Sequence, residues 1–302
     1  MIKIPKISVL VPVYNIENVV KNCLESLKKV DYKNLEIIFV DDASTDGSLK
    51  LIKDFCKENK NTKIIIHKEN KGLLQTRIDA LKVAKGEFIA FLDGDDSVDS
   101  NLYSAMSEKM ISEDADICLC EYKVDNKQTK RVYSQGVGDL SRVDLNETDP
   151  FKLYSQKVAH EKVYQFVWNK MISRRLLKKC SKEIKNLSKT APNILMGEDI
   201  VFSTLFTTKA NKMVNIHGAY YYYAKHTEQS IVLNSQEKFA RQFKSVLQSF
   251  QIVKDYLNSI NRYDEKMFKS VYGTYLSMYM NQAYKLNIKP LFEEILAKFK
   301  VK

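Results

Sequence analysis

Residues 88–96 read FIAFLDGDD, an apolar run that stops in three carboxylates within four positions, Asp93, Asp95 and Asp96. Carboxylates so close repel one another, and only water, cationic side chains or a bound cation relieves them. The stretch is therefore either a solvated turn or a metal site. A second acidic pair, Asp41 and Asp42, follows the apolar run LEIIFV. A third, Glu198 and Asp199, stands in MGEDIVF ahead of Ile200, Val201, Phe202, Leu205 and Phe206, which recur at helical period. Acidic groups at a helix start complement its dipole, and a carboxylate held away from a metal can also take a proton as a general base. Arg77, in NKGLLQTR, carries a guanidinium suited to bidentate contact with phosphate or carboxylate oxygens.

The elements that must position these groups alternate along the first 122 residues. The runs 7–13 (ISVLVPV), 35–40 (LEIIFV), 62–67 (TKIIIH), 86–92 (GEFIAFL) and 115–120 (ADICLC) are short, apolar and rich in β-branched residues, as strands covered on both faces should be. Between them, Val19, Val20, Cys23, Leu24 and Leu27 share one helix face, and Leu49, Ile52, Phe55 and Cys56 share another. This alternation predicts an α/β fold with a doubly wound, mostly parallel sheet. Ligands of such sheets bind beyond the carboxyl ends of the strands. The segments in that place are PVYN (12–15), DDASTDGS (41–48), KENKGLLQTR (68–77) and DGDDSVD (93–99), which puts the acidic groups and Arg77 on one edge.

Composition sets the outer bounds. The 302 residues include 14 Phe, 17 Tyr and 1 Trp, enough apolar area for a full globular core. The five cysteines are odd in number and lack C-x-x-C spacing, which argues against a disulfide framework or a zinc site and fits a reducing cytoplasm. The N-terminal MIKIPKISVLVPVYN reads as a strand, not a signal peptide, and no apolar run approaches the roughly 18 residues that span a bilayer. A net charge of +11 favours anionic partners: nucleic acid, nucleotide phosphates or an acidic lipid surface.

Taken together in this order and spacing, ISVLVPVYN, IIFVDDASTDGS, NKGLLQTR and GEFIAFLDGDD resemble the nucleotide-binding half of the family 2 glycosyltransferases, and VWNKMISRRLL (167–177) and MGEDIVF (196–202) resemble further elements of its bacterial members. The resemblance implies a GT-A fold and inverting transfer of a sugar from a nucleotide donor. It divides the chain into a nucleotide-sugar-binding part, 1–122, an acceptor-binding and catalytic-base part of the same domain, 123–235, and a helical C-terminal region, 236–302. Pro12, Val13, Tyr14 and Asp42 would face the nucleobase, with Asp42 accepting from a uracil N–H. Asp93 would hold the ribose, and Gly94, Asp95 and Arg77 would serve the diphosphate. Mn²⁺ or Mg²⁺ would sit on Asp95 and Asp96, hard oxygen ligands for a hard cation, with His226 as a further ligand. Asp199 would be the general base, and Glu198 and Trp168 would bind the acceptor. The implied donor is a UDP-sugar, with galactose first and glucose or GalNAc behind it. The implied acceptor is a bacterial surface glycan or glycolipid such as lipooligosaccharide.

Two expectations come from the residues alone. Stretch 123–149 is polar and without periodicity, which reads as a loop or crossover. Beyond Gln236 three helical patterns follow. The last, PLFEEILAKFKVK, interleaves basic and apolar residues, so it would either pack on the domain or lie on anionic lipid at the inner face of the cytoplasmic membrane. A nucleic-acid-binding protein is the poorer reading, since three aspartates at the site repel phosphate unless a metal is bound and no aromatic platform accompanies the lysines. A scaffold of the same fold without catalysis is the remaining alternative.

Overall fold

The computed structural model describes residues 4–126, 131–135, 149–158, 161–191, 194–225 and 235–299. Strands β1 (Ile7–Val13) and β2 (Leu35–Asp41) are buried along their whole length, as their unbroken apolar composition requires of strands covered on both faces. With β3 (Thr62–Ile66) and β4 (Phe88–Phe91) they form a parallel set in which β2 pairs β1 and β3, and β1 pairs β4. Helices α1 (Val20–Lys28), α2 (Ser48–Glu58) and α3 (Gly72–Val83) cross over between them, burying Cys23, Leu24 and Leu27, then Ile52 and Phe55, then Leu74, Ile78 and Leu81. The carboxyl ends of β1, β2 and β4 therefore lie side by side.

Beyond β4 the sheet changes character. After the two-residue β5 (Ser97–Val98) and α4 (Leu102–Ser112) come β6 (Ile117–Asn126), β7 (Arg131–Gln135), α5 (Pro150–Lys157) and β8 (Lys170–Ser173). Strand β8 pairs antiparallel with both β4 and β6, joining the parallel set to the rest. Helices α6 (Arg174–Lys179), α7 (Ser181–Thr190) and α8 (Glu198–Lys209) lead to β9 (Met213–Lys225), which runs parallel to β6 and antiparallel to β5. Among the described residues the order is β3-β2-β1-β4-β8-β6-β9-β5, with β7 paired to β6 off that path.

Strand β6 is longer than the apolar run 115–120 from which it grows. It continues from Cys120 through Asn126 and pairs antiparallel with β7, so 123–126 and 131–135 are strand, not loop. Main-chain pairing with β9 holds this polar stretch extended, and a hydrophobic pattern does not register such support.

The C-terminal helices α9 (Gln236–Ser259), α10 (Glu265–Lys285) and α11 (Lys289–Phe299) form where the periodicity places them, with Pro290 in the first turn of α11. The interfacial reading of α11 is corrected. Its apolar residues Phe292 and Ile295 are buried, and the Phe292 ring stacks on Phe243 of α9 at 4.9 Å. A face already packed on the domain is not available to lipid. No helix of the described residues is long and apolar enough to cross a membrane.

Candidate active site

Two loops that leave the parallel strands are knitted together by hydrogen bonds. The Asn15 N–H donates to Ser44 Oγ, the Thr45 N–H donates to Asn15 Oδ1 at 2.8 Å, and the Glu17 N–H donates to Asp46 Oδ2 while Glu17 Oε2 accepts from the Gly47 N–H. Asn15 and Ala43 hold left-handed backbone at φ 50° and 62°, a conformation that non-glycine residues adopt at a cost. Pro12 and Val13 end β1 within the core, and Tyr14 beside them is 48% exposed.

The two aspartates after β2 differ sharply. Asp42 is saturated: its carboxylate accepts from His67 Nδ1 at 2.6 Å and from the main-chain N–H groups of Lys71 and Gly72, both at 2.9 Å. It thus caps the entrance to α3, and Asp79 Oδ2 lies 3.2 Å from His67 Nε2 on the far side, without a hydrogen bond. Asp41, equally buried, accepts from the Ser44 N–H with one oxygen, and its Oδ1 has no protein donor. The capping of α3 by Asp42 competes with its expected contact to a nucleobase.

After β4 the three carboxylates part company. Gly94 must be glycine for space: a Cβ there would come within 2.9 Å of the Pro12 carbonyl oxygen and 2.6 Å of Ile16 Cδ1. Asp96 is turned inward, where it accepts from the Tyr221 hydroxyl at 2.6 Å and the Ala224 N–H at 2.8 Å. Burial and the neighbouring Asp95 and Asp93 raise its pKa well above the usual range. The expectation that Asp96 ligates a metal is therefore corrected, because both of its oxygens are spent on β9. Asp93 and Asp95 remain partly exposed on the other side of the turn, and the Asp93 N–H donates to Tyr221 Oη. His226 lies outside the described residues.

Arg77, fully buried on α3, sits at the centre. Its guanidinium pairs with Asp93 at 2.6 Å, with Asp199 at 3.0 Å and with Glu198, drawing the turn after β4 onto the start of α8. The guanidinium thus meets carboxylates, where the resemblance would set it on a diphosphate. Gly197, at φ 90°, makes the turn that delivers Glu198 and Asp199 to it. One guanidinium cannot neutralise three carboxylates. Accordingly burial pushes Glu198 up to about 8, with Asp199 and Asp93 adding to the rise and Arg77 opposing it. Asp199 is raised by the same burial, held back by Arg77. Its side chain is 21% exposed against 4% for Glu198, so Asp199 is the one that can meet a substrate. Glu198 faces Arg77 and is not placed to touch an acceptor.

Trp168 is also corrected. It is 5% exposed, with its ring stacked on Phe166 at 4.6 Å and on Tyr221 at 4.4 Å and its edge against Tyr122, which makes it core and not a sugar platform. Residue-by-residue reading missed two neighbours. Tyr221 bridges Asp93 and Asp96, and its only sequence signal was a place in the run 220–223, which reads as packing. Lys170 is buried beside Asp199, and burial draws its pKa down to about 7. A lone lysine inside the apolar VWNKMIS was the signal.

Among the described residues no three His, Cys, Asp or Glu side chains converge as a metal cage. Asp93 and Asp95, hard oxygen donors on a turn of excess negative charge, fit the other arrangement, in which one or two carboxylates hold a Mg²⁺-like ion and substrate oxygens complete its shell.

The family described as "Glycosyl transferase family 2" matches residues 8–181, more than half of the chain. EpsH of Bacillus subtilis is 30% identical over 262 residues, 86% of this chain and 72% of that protein. The poly(ribitol-phosphate) beta-glucosyltransferase of Bacillus spizizenii is 33% identical over 169 residues, 53% of this chain, which spans only 27% of that enzyme. Among solved structures, residues 1–349 of S. aureus TarS in complex with UDP-GlcNAc match with a TM-score of 0.64 at 23% identity, over 97% of this chain and 80% of that one. With the alternating strands, the acidic turn after β4 and the carboxylate pair at the start of α8 in place, the chain belongs to glycosyl transferase family 2 and is a glycosyltransferase of GT-A fold.

Proposed function

We propose that the enzyme transfers a hexose or N-acetylhexosamine from a UDP-sugar to a hydroxyl of a bacterial surface glycan, with inversion and with Asp199 as general base. The observation that carries this reading is the Arg77 cluster, which holds a partly exposed carboxylate of raised pKa next to the acidic turn after β4. An inverting displacement needs a base on the face opposite the leaving group, and a carboxylate of raised pKa is a better base than a free one. Asp199, at the start of α8, shares Arg77 with Asp93 of the turn after β4.

The UDP-sugar is supported by the TarS complex with UDP-GlcNAc, and a hydroxyl-bearing polymer as acceptor by the named activity of the Bacillus spizizenii relative. Galactose stands first as the sugar, then glucose and GalNAc, with GlcNAc added by the TarS complex. Asp95 would hold a divalent cation, with Asp93 beside it, and the cation would stabilise the charge that builds on the departing diphosphate. Arg77 orients Asp93 and Asp199 together, so the donor end and the base move as one unit. Asp41, through its unpartnered Oδ1, is the acceptor available to a nucleobase N–H, and Asp42 would accept one only in exchange for a bond to His67 or to the start of α3.

Asp199→Asn keeps size and shape but takes no proton. Turnover of the preferred UDP-sugar should fall by about 10²- to 10⁴-fold, with the donor dissociation constant almost unchanged, since the lost interaction belongs to the transition state. Glu198→Gln should cost less. Retention of most of kcat in Asp199→Asn would overturn the reading.

A further inference from the structure

We propose that Lys170 is the positioning residue for the base: its ammonium gathers the main chain of residues 163–167 so that the Val167 N–H is presented to Asp199. The inference rests on Asp199 being the base. Lys170 opens β8 and is 1% exposed. Its Nζ donates to the Tyr164 carbonyl at 3.1 Å, to Asn169 Oδ1 at 3.1 Å and to the Phe166 carbonyl, with the Val163 carbonyl at 3.5 Å. Three donors thus meet four acceptors from one short segment. The Lys170 N–H closes the same segment by donating to the Val167 carbonyl at 3.1 Å.

Among the described residues no carboxylate lies within ion-pair distance of this ammonium, so it is a buried cation satisfied only by neutral groups. Such a cation is costly, and a neutral side chain would fill the space more cheaply if packing were the whole purpose. What the segment delivers is specific. The Val167 N–H donates to Asp199 Oδ1 at 3.4 Å, on the same oxygen that receives Arg77. From the opposite side Ser203, one turn along α8 from Asp199, donates to the Gln165 carbonyl at 2.9 Å. The loop is therefore fixed between the lysine and the helix that carries the base.

The charge acts as well as the hydrogen bonds. Asp199 is faced by Arg77 from α3, Asp93 from the turn after β4, Glu198 from its own helix, Lys170 from β8, Tyr154 from α5 and Tyr275 from α10. Only Arg77 and Lys170 among these are cations. Removal of Lys170 takes away a positive charge that favours the ionised carboxylate, so Asp199 should titrate at higher pH.

The test is a double-mutant cycle with UDP release from UDP-galactose, UDP-glucose or UDP-GlcNAc, whichever wild type turns over fastest, and with donor affinity measured separately. Lys170→Gln should lower kcat by roughly 10- to 100-fold, the scale of a misplaced catalytic group, with donor affinity retained and the acid limb of kcat moved to higher pH. In an Asp199→Asn background it should add almost nothing. Ser203→Ala, which releases the other anchor without burying anything new, should act in the same direction to a smaller extent and decides the matter if Lys170→Gln does not fold. An Asp199→Asn enzyme that keeps its rate would sink the base assignment itself. If Asp199→Asn is slow but the second substitutions cost as much in that background as in wild type, or leave the acid limb in place, the base stands and the role given to Lys170 is overturned.

Discussion

Three carboxylates around a single buried guanidinium form an unbalanced set, and that imbalance decides what each acid can do. Arg77 draws Asp93, Glu198 and Asp199 together, and burial keeps a proton near Glu198. Asp95 stands outside this set on the partly exposed side of the turn, which makes it the residue to test for the cation. Asp95→Ala should weaken UDP affinity in saturating Mn²⁺ and change it little without metal; equal calorimetric affinity of variant and wild type in Mn²⁺ would refute the assignment. The residue types were legible from the sequence because strand ends in a doubly wound sheet collect the chemistry. Their partners were not. Arg77 meets Glu198 across 121 positions, and Asp96 turns inward only because Tyr221 and Ala224 of β9 arrive beside it. Trp168 likewise became core through contacts with β9 that its own apolar neighbourhood does not specify.

At the scale of elements, local period was a reliable guide where the element is covered by its own crossover. Strands β1 to β3 fall within a residue of their apolar runs, and helices α9 to α11 follow their patterns. Extension of β6 to Asn126 escaped because backbone pairing with β7 and β9 is not written in the side chains. Amphipathicity alone could not choose between protein and lipid for α11, and Phe243 settles it by stacking on Phe292. Phe292→Ala should therefore destabilise by about 3–5 kcal/mol, the usual cost of removing a buried ring. Thermal melting should show the loss, while binding to vesicles rich in anionic lipid should match that of wild type. An unchanged melting temperature with lost vesicle binding would return α11 to the membrane.

For the molecule as a whole, the buried acids make stability depend on pH in a direction opposite to that of surface ion pairs. Glu198 is raised from 4.5 to about 8, so the folded state holds its proton more tightly than the unfolded chain. Its contribution is full below about 4.5 and is lost as pH rises towards 8. Asp199 and Asp96 are raised too and act with the same sign. Lys170, lowered from 10.5 to about 7, contributes above 10.5 and loses that contribution as pH falls through 7, so it leaves the range from pH 5 to 7 to the acids. Glu198→Gln keeps an oxygen for Arg77 but has no proton to lose. Between pH 5 and 7, without nucleotide or metal, the melting temperature of this variant should therefore fall less than that of wild type. The difference should amount to a few degrees, at roughly 2–4 °C for each kcal/mol in a chain somewhat smaller than this one. Parallel melting curves across that window would move the shared proton from Glu198 to Asp199 or Asp96, and with it the neutral partner that lets one arginine hold three acids.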